Sequence, residues 1–180
     1  PYGLQKRVCE DYAKLFFTLY DFDIVALRYF NVYGPGQLGG TSYSTAIAAW
    51  CNALYAGENL RSDGDGTQTR DMVFVEDVAR ANILAAEAPP NSVAGKCFNI
   101  ATGSSISNND ILSLFKDEFG DRVVVDKAPA RIGDVQHTMA DTTLAENNLG
   151  FRAKTTFPEG LQKTWNWWSK TQRGNTHERS

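Results

Sequence analysis

Length, composition and charge already narrow the classes to which this chain can belong. Its 180 residues can bury a sizeable single core, and 42% hydrophobic with 22% charged residues is ordinary for a soluble globular protein. The formal net charge of −3 gives no basic bias toward nucleic acid or an anionic membrane, and no apolar run approaches a membrane span of about 20 residues, so we expect neither partner.

The first predicted elements are a helix and a strand. Apolar residues recur at spacings of three and four from Tyr2 to about Tyr20, which predicts an amphipathic helix. Residues 24–30 then form a continuous apolar run between helical segments. Such a run is typical of an interior strand of a parallel sheet.

Tyr2 and Lys6 stand at the start of the predicted helix. They are four residues apart, which is about one helical turn, so their side chains would share a face. A nearby ammonium favours the phenolate, and such a pair can therefore supply a base near neutral pH. Taken alone, the same spacing is more often an ordinary surface pair.

A glycine-rich loop follows the strand over residues 34–40 and contains the pattern G-x-G-x-x-G from Gly34 to Gly39. A dinucleotide-binding loop of this type expects an acidic ribose ligand about 20 positions later, at the end of a second strand. Residues 52–58 look instead like the end of a helix, and Pro35 stiffens the turn where backbone donors are needed. We therefore interpret the loop as the border of a substrate cleft.

Helices and short strands alternate through the rest of the chain. Strands are predicted near residues 59–61, 72–75, 96–100 and 122–126. Helices are predicted from a cap at Thr41 or Ser42 to about residue 55, and at residues 76–87, 108–119 behind the cap Ser107, 142–149 and 158–170. The polar tail at residues 171–180 is predicted to be disordered.

Three further sets of residues are not assigned to a binding or catalytic site. Phe157, Trp165, Trp167 and Trp168 have helical spacing near the C-terminus, which favours core packing over a sugar-stacking platform. Cys9, Cys51 and Cys97 are scattered and odd in number, which fits a reducing, cytoplasmic location. Asp71, Asp77 and His137 lack the spacing of metal ligands, so we predict no metal site.

Four further motifs accompany the Tyr-x-x-x-Lys spacing and occur in a definite order. They are Arg-Tyr-Phe-Asn-Val-Tyr-Gly-Pro at residues 28–35, Gly-Asp-Gly-Thr-Gln-Thr-Arg-Asp at 64–71, Phe-Asn-Ile-Ala-Thr-Gly at 98–103 and Arg-Ile-Gly-Asp at 131–134. From Pro1 to about Trp168 the set resembles the C-terminal half of the extended short-chain dehydrogenase/reductase family, in particular its nucleotide-sugar 4-epimerases.

The resemblance implies an α/β fold. It would contain the C-terminal part of a Rossmann-like doubly wound sheet together with a small mixed α/β lobe for the substrate. Residues 1–35 would be the remainder of the dinucleotide-binding domain. Residues 36–170 would form mostly the nucleotide-sugar lobe, with some returning sheet elements, ahead of the tail at 171–180.

The resemblance also assigns roles at the cofactor side. Tyr2 matches the family's general base and acid at the sugar hydroxyl, and Lys6 matches the lysine that binds the nicotinamide ribose and lowers the tyrosine pKa. The family's serine or threonine and its glycine-rich NAD loop precede the tyrosine, whereas this chain begins one residue before Tyr2. NAD is thus the cofactor of the parent family, and we expect none to be bound by this chain.

Five residues match substrate-binding positions of the family. Asn31 matches the asparagine that contacts the nucleotide diphosphate, although a turn-capping Asn is an alternative. Arg70 and Arg131 match diphosphate-binding arginines, although either could be a surface salt bridge, and Asp134 matches the acceptor of a ribose hydroxyl. Thr138 matches a gatekeeper near the 2-substituent of the sugar, where a small residue leaves room for an N-acetyl group.

The expected parent activity is NAD-dependent 4-epimerisation of a UDP-hexose or UDP-N-acetylhexosamine. A dehydratase or decarboxylase of the same family is an alternative, although residues 28–31 resemble epimerases more closely. The isolated chain is expected to be inactive. It could instead be a non-catalytic nucleotide-sugar-binding remnant or a folded fragment that complements another chain.

Assembly can also be anticipated from the sequence. The 24–30 strand would have an unpaired edge, and the helix face with Leu15, Phe16 and Leu19 would lack a cover. Exposed strand edges and apolar patches favour association. A homodimer or larger assembly is therefore expected.

Overall fold

A computed structural model of the chain describes residues 1–37, 45–131 and 133–177, with side chains as far as Thr171. The helices are α1 (Tyr2–Tyr20), α2 (Ala46–Ala56), α3 (Val75–Glu87), α4 (Pro90–Val93), α5 (Asn108–Phe119), α6 (Thr143–Leu149) and α7 (Phe157–His177). The strands are β1 (Ala26–Tyr29), β2 (Asn31–Tyr33), β3 (Leu60–Asp63), β4 (Thr69–Arg70), β5 (Met72–Phe74), β6 (Cys97–Ile100), β7 (Ile106–Ser107) and β8 (Val125–Ala128).

Most strand pairs are parallel, and they join segments far apart in the chain. β1 pairs with β6, β2 with β5 and β3 with β8, all in parallel, whereas β4 and β7 are antiparallel. Parallel strands need crossover connections, and the helices between them provide these. The α/β class expected from the sequence is confirmed.

The first predicted strand, at residues 24–30, corresponds to β1, and a second strand with a different partner follows it directly. The Phe30 amide donates to the Ile100 carbonyl, which completes the pairing of β1 with β6, and the next amide, of Asn31, donates to the Asp71 carbonyl. Asn31 is thus the first residue of β2, a strand that the sequence analysis did not predict. Among the described residues, β1 is paired on one side only.

Two apolar clusters form the core, one on each side of β5. Val73 belongs to a cluster with Phe98 and Phe151, whereas its neighbours Met72 and Phe74 belong to the other. This division follows from the alternation of side chains along a strand. The larger cluster also contains the buried rings of Trp50, Phe115 and Trp168, with Trp165, Trp167 and Phe157 packed against it. Packing is therefore confirmed as the role of the C-terminal aromatic residues.

Helix ends follow local chemistry, and two of them differ from the sequence prediction. Ser107 caps α5 in a capping box with Asp110, as predicted. The cap of α2 is Thr45, whose Oγ1 accepts from the Ala48 amide at 3.4 Å. The caps proposed earlier, Thr41 and Ser42, and part of the 34–40 loop lie outside the described residues. The backbone of α7 continues to His177, which includes residues 171–177 of the expected disordered tail.

Helix α1 contacts the rest of the chain through an ion pair and through the half-buried ring of Phe17, which lies close to Gly95. Arg28 donates from Nε and Nη2 to the two carboxylate oxygens of Glu10, at 2.9 and 2.6 Å. These bonds hold the pKa of Glu10 below its ordinary value. No residue of α1 is buried, and its large exposed side chains are Tyr2, Leu4, Val8, Tyr12, Leu15, Phe16, Leu19 and Tyr20. In the described residues no helix is both long enough and apolar enough to cross a membrane.

A buried carboxylate joins α3 to the segment before α7. Asp77 accepts from the amides of Lys154 and Thr155, both at 3.0 Å, and from Arg80 Nη2 at 2.8 Å. Burial alone would raise the pKa of Asp77, but the Arg80 bond and the two amide donors outweigh it and lower the pKa below its ordinary value. The charged form is therefore the one that stabilises the fold.

This arrangement makes acid stability depend on Asp77. A carboxyl whose pKa is lowered by folding stabilises the protein above its ordinary pKa, and that contribution is lost as pH falls through the folded-state value. Asp77→Asn should cost about 1–3 kcal/mol at pH 7. Urea unfolding between pH 6 and 3 should also show a flatter decline for the variant than for the wild type. The exposed control Asp121→Asn should follow the wild type, and parallel curves for Asp77→Asn would contradict this role.

Candidate functional site

A cavity of about 180 Å³ brings together four of the residues singled out in the sequence: Asn31, Arg70, Arg131 and Asp134. Its remaining wall comes mainly from the first turns of α2 and α5 and from the end of β3. Asn31 opens β2 opposite Met72 in β5, and Arg70 ends β4 two residues before Met72. The pairing of β2 with β5 thus sets Asn31 beside the arginine-bearing strand.

Arg70 is held firmly within the wall. Its Nη2 donates to Asp134 Oδ1 at 2.6 Å, and its Nη1 donates to the carbonyl of Thr69 at 2.8 Å and that of Gln136 at 3.4 Å. The Arg70 side chain is only 18% exposed, against 44% for Asp134. Two residues that are far apart in sequence therefore form one charged pair on the cavity surface.

Arg131 is paired with a carboxylate that the sequence analysis did not identify. Its Nε donates to Asp63 Oδ2 at 2.5 Å, and Arg61 Nε donates to Asp63 Oδ1 at 2.8 Å. Burial alone would raise the pKa of Asp63, but the two guanidinium groups outweigh it and lower the pKa. The only sequence signal for this role was the position of Asp63 at the end of a strand, immediately before a glycine turn.

Asp71, also missed from the sequence, anchors the segments around Arg70. It is fully buried and accepts from Thr102 N at 2.8 Å, Thr102 Oγ1 at 2.7 Å, Gly103 N at 3.0 Å and Ala140 N at 3.2 Å. Thr138 belongs to the same set of contacts, because its Oγ1 accepts from the Asp71 amide. Thr138 is half-buried and is not part of the cavity wall.

Tyr2 and Lys6 share a face of α1, as their spacing predicts, but they are not in the cavity wall. The Lys6 ammonium nitrogen lies 5.3 Å from the centre of the Tyr2 ring, and Tyr2 is 71% exposed. The described chain thus keeps this pair apart from the residues around Arg70. Among the described side chains, no cluster of three or more His, Cys, Asp or Glu residues could hold a metal ion.

Known proteins resemble the chain in sequence and in structure. A family model described as the NAD dependent epimerase/dehydratase family matches residues 1–101. A putative UDP-glucose 4-epimerase of Methanocaldococcus jannaschii is 35% identical over 175 residues, which is 96% of this chain and 54% of that protein. The chain therefore spans about half the length of this relative.

Two solved structures extend the likeness to the fold. The UDP-N-acetylglucosamine 4-epimerase from Methanobrevibacter ruminantium M1, in complex with UDP-N-acetylmuramic acid, has a TM-score of 0.87 and 35% identity, covering 95% of this chain and 54% of that one. The UDP-glucuronic acid 4-epimerase from Bacillus cereus, in complex with UDP-glucuronic acid and NAD, has a TM-score of 0.85 and 27% identity, covering 95% and 53%. The Rossmann-like α/β fold is confirmed; the domain boundary at residue 35 stays a prediction.

The anchoring role of Asp71 gives a test of how the site is held. Asp71→Asn replaces one acceptor oxygen by a donor, which leaves buried amides without partners, and each such group costs about 1–3 kcal/mol. We expect a loss of about 2–4 kcal/mol in the free energy of unfolding, measured in urea. Asp121→Asn, an exposed substitution of the same kind, should change it by less than about 0.5 kcal/mol. An unchanged Asp71→Asn midpoint would show that the carboxylate does not hold these segments.

Proposed function

The chain belongs to the NAD dependent epimerase/dehydratase family, and on that basis we propose that its cavity binds the diphosphate of a nucleotide sugar within an NAD-dependent 4-epimerase. The observation that carries this proposal is the convergence of Asn31, Arg70, Arg131 and Asp134 on one cavity. Related structures in complex with UDP-N-acetylmuramic acid and UDP-glucuronic acid favour UDP-sugars as the substrate class.

Each wall residue has a chemical role in this proposal. The two guanidinium groups bind the diphosphate through charge-assisted hydrogen bonds, each worth roughly 1.5–3 kcal/mol when well formed. Asn31 supplies amide donors to the same group. Asp134 accepts from a ribose hydroxyl, which frees the Nη2 edge of Arg70 for phosphate. On binding, the two arginines and Asp134 would thus exchange their present partners for groups of the nucleotide sugar.

At the cofactor side, Tyr2 and Lys6 are the described residues that match cofactor-binding positions. Their shared and exposed face on α1 fits contact with a ribose and a sugar hydroxyl. NAD, when bound, supplies the hydride acceptor and donor for the sugar. Tyr2 would remove the proton of the sugar hydroxyl and later return it to the same oxygen. Lys6 would hold the ribose of the cofactor.

Finer features of the proposal rest on single observations. A preference for N-acetylhexosamines rests on the small size of Thr138, which lies outside the cavity wall. A cytoplasmic location fits the free state of Cys9, Cys51 and Cys97.

The 180-residue chain itself should bind UDP through the two arginines. We expect a dissociation constant between about 100 µM and a few millimolar, because much of the cavity wall is open to water. Arg70→Ala and Arg131→Ala should each weaken UDP binding by at least about tenfold, as followed by calorimetry or NMR titration. Lys6→Ala also removes one positive charge, but it should leave the affinity unchanged. UDP binding that is indifferent to both arginine substitutions would refute the assignment.

Cofactor binding and turnover should both be absent from the chain on its own, because it spans about half the length of its relatives. Titration with NAD should give no micromolar binding. No interconversion of UDP-glucose or UDP-N-acetylglucosamine should be detectable by chromatography with NAD added. A measurable rate that disappears in Tyr2→Phe would overturn this prediction and place a complete active site in these residues.

We also propose that α1 mediates assembly into a homodimer or larger species. Leu15, Phe16 and Leu19 are 46%, 45% and 60% exposed, which is unusual for neighbouring large apolar side chains. Light scattering should give a mass of at least two chains, and Leu15→Ser with Leu19→Ser should reduce it to one. Thr18→Ser on the same helix is the control. A wild-type monomer at high concentration would contradict the proposal.

A further inference from the structure

The cavity proposed for an anionic diphosphate carries a fixed negative charge on its wall. Asp63 lines the cavity together with Arg131, and its side chain is only 14% exposed. Its partners are far more open to solvent, with Arg61 69% and Arg131 62% exposed. The Asp63 carboxylate is therefore the shielded member of these three side chains, and the two exposed arginines cover it.

The backbone around Asp63 keeps this charge in place. Asp63 pairs with Ala128 at the end of the parallel β3–β8 ladder, and the next amide, of Gly64, donates to the Ala128 carbonyl at 2.8 Å. Gln68 Nε2 donates to the Asp63 carbonyl at 2.8 Å. Gly64 has φ +74°, which turns the chain sharply behind Asp63. These bonds fix the backbone of Asp63 beside the cavity, and the two arginine contacts hold its carboxylate there.

The charges on the cavity wall sum to zero. Arg70 and Arg131 contribute two positive charges, and Asp63 and Asp134 contribute two negative ones. In the proposed complex Asp134 binds a ribose hydroxyl, so its charge serves recognition. The proposed complex gives Asp63 no contact with the ligand, and in the structure its oxygens accept from Arg61 and Arg131. Its charge opposes that of the bound phosphates, and the opposition grows with the charge of the ligand.

Free nucleoside diphosphates and nucleotide sugars differ in this respect. The diphosphate of a nucleotide sugar is esterified at both ends and carries about two negative charges, whereas free UDP carries about three above the second phosphate pKa near 6. Resting on the function proposed above, we propose that Asp63 is a specificity-determining residue that makes the site prefer nucleotide sugars over free nucleoside diphosphates. The Arg61 and Arg131 contacts lower the Asp63 pKa, so its charge persists throughout the neutral range.

The test compares UDP with UDP-glucose on wild type and Asp63→Asn by calorimetry or NMR titration at low salt. The substitution keeps the shape of the side chain and removes its charge. At pH 8 we expect UDP affinity to rise about tenfold and UDP-glucose affinity about threefold, so the ratio shifts toward UDP. At pH 5.5 the terminal phosphate of UDP is mostly singly charged, and the shift in ratio should become clearly smaller than at pH 8. A purely structural role would not produce this dependence on the ligand's charge.

Two variants control the experiment. Asp63→Glu retains the charge and should restore the wild-type ratio, and Asp121→Asn changes the net charge by the same amount at an exposed site outside the wall. Equal changes for both ligands, or a shift toward UDP-glucose, would overturn the proposal for Asp63 and leave the proposed function standing. If neither wild type nor Asp63→Asn binds either ligand, the proposed function itself fails and this inference fails with it.

Discussion

The carboxylate of Asp71 is the contact on which the geometry of the cavity depends. A buried charge persists only where hydrogen bonds replace its water, and Asp71 finds these on Thr102, Gly103 and Ala140. It thereby joins the turn after β6 and the segment before α6 to the junction of β4 and β5. Because Arg70 is the preceding residue, the same contacts fix the position of its backbone.

Next to Asp71, the charged residues of the cavity wall form two ion pairs. The largely shielded side chain of Arg70 is bonded to Asp134, whereas Arg131 contacts Asp63 from an exposed position. In the proposed complex, a bidentate phosphate contact replaces the bond of the exposed Arg131 to Asp63, and Asp63 keeps its bond to Arg61. The Arg70 pair is less exposed, and in the same proposal Asp134 accepts from a ribose hydroxyl when Arg70 binds phosphate.

Sequence patterns identified the features that are determined locally. Helices α1 and α5 and the Ser107 cap follow from periodicity and capping chemistry over neighbouring residues. The convergence of Asn31 and Arg70 was foreseeable in outline, since the resemblance matched both residues to contacts with the diphosphate. The motif order placed Arg131 and Asp134 with them.

Features that depend on distant partners could not be read from the chain. The start of β2 at Asn31 is set by the Asp71 carbonyl, and β4 and β7 are two-residue strands that exist only as a pair. The donors to Asp71, and the Arg131 donor to Asp63, likewise come from residues more than 30 positions away. No periodicity over a short window contains that information.

The central claim is that the cavity between β2, β4 and the 131–134 segment is the nucleotide diphosphate site. Amide chemical-shift mapping of the isotope-labelled chain during titration with UDP tests it most directly. The account predicts the largest shifts at Asn31, Arg70, Arg131 and Asp134, with none along α1 around Tyr2. Shifts concentrated on α1, or scattered over the surface without saturating, would contradict it.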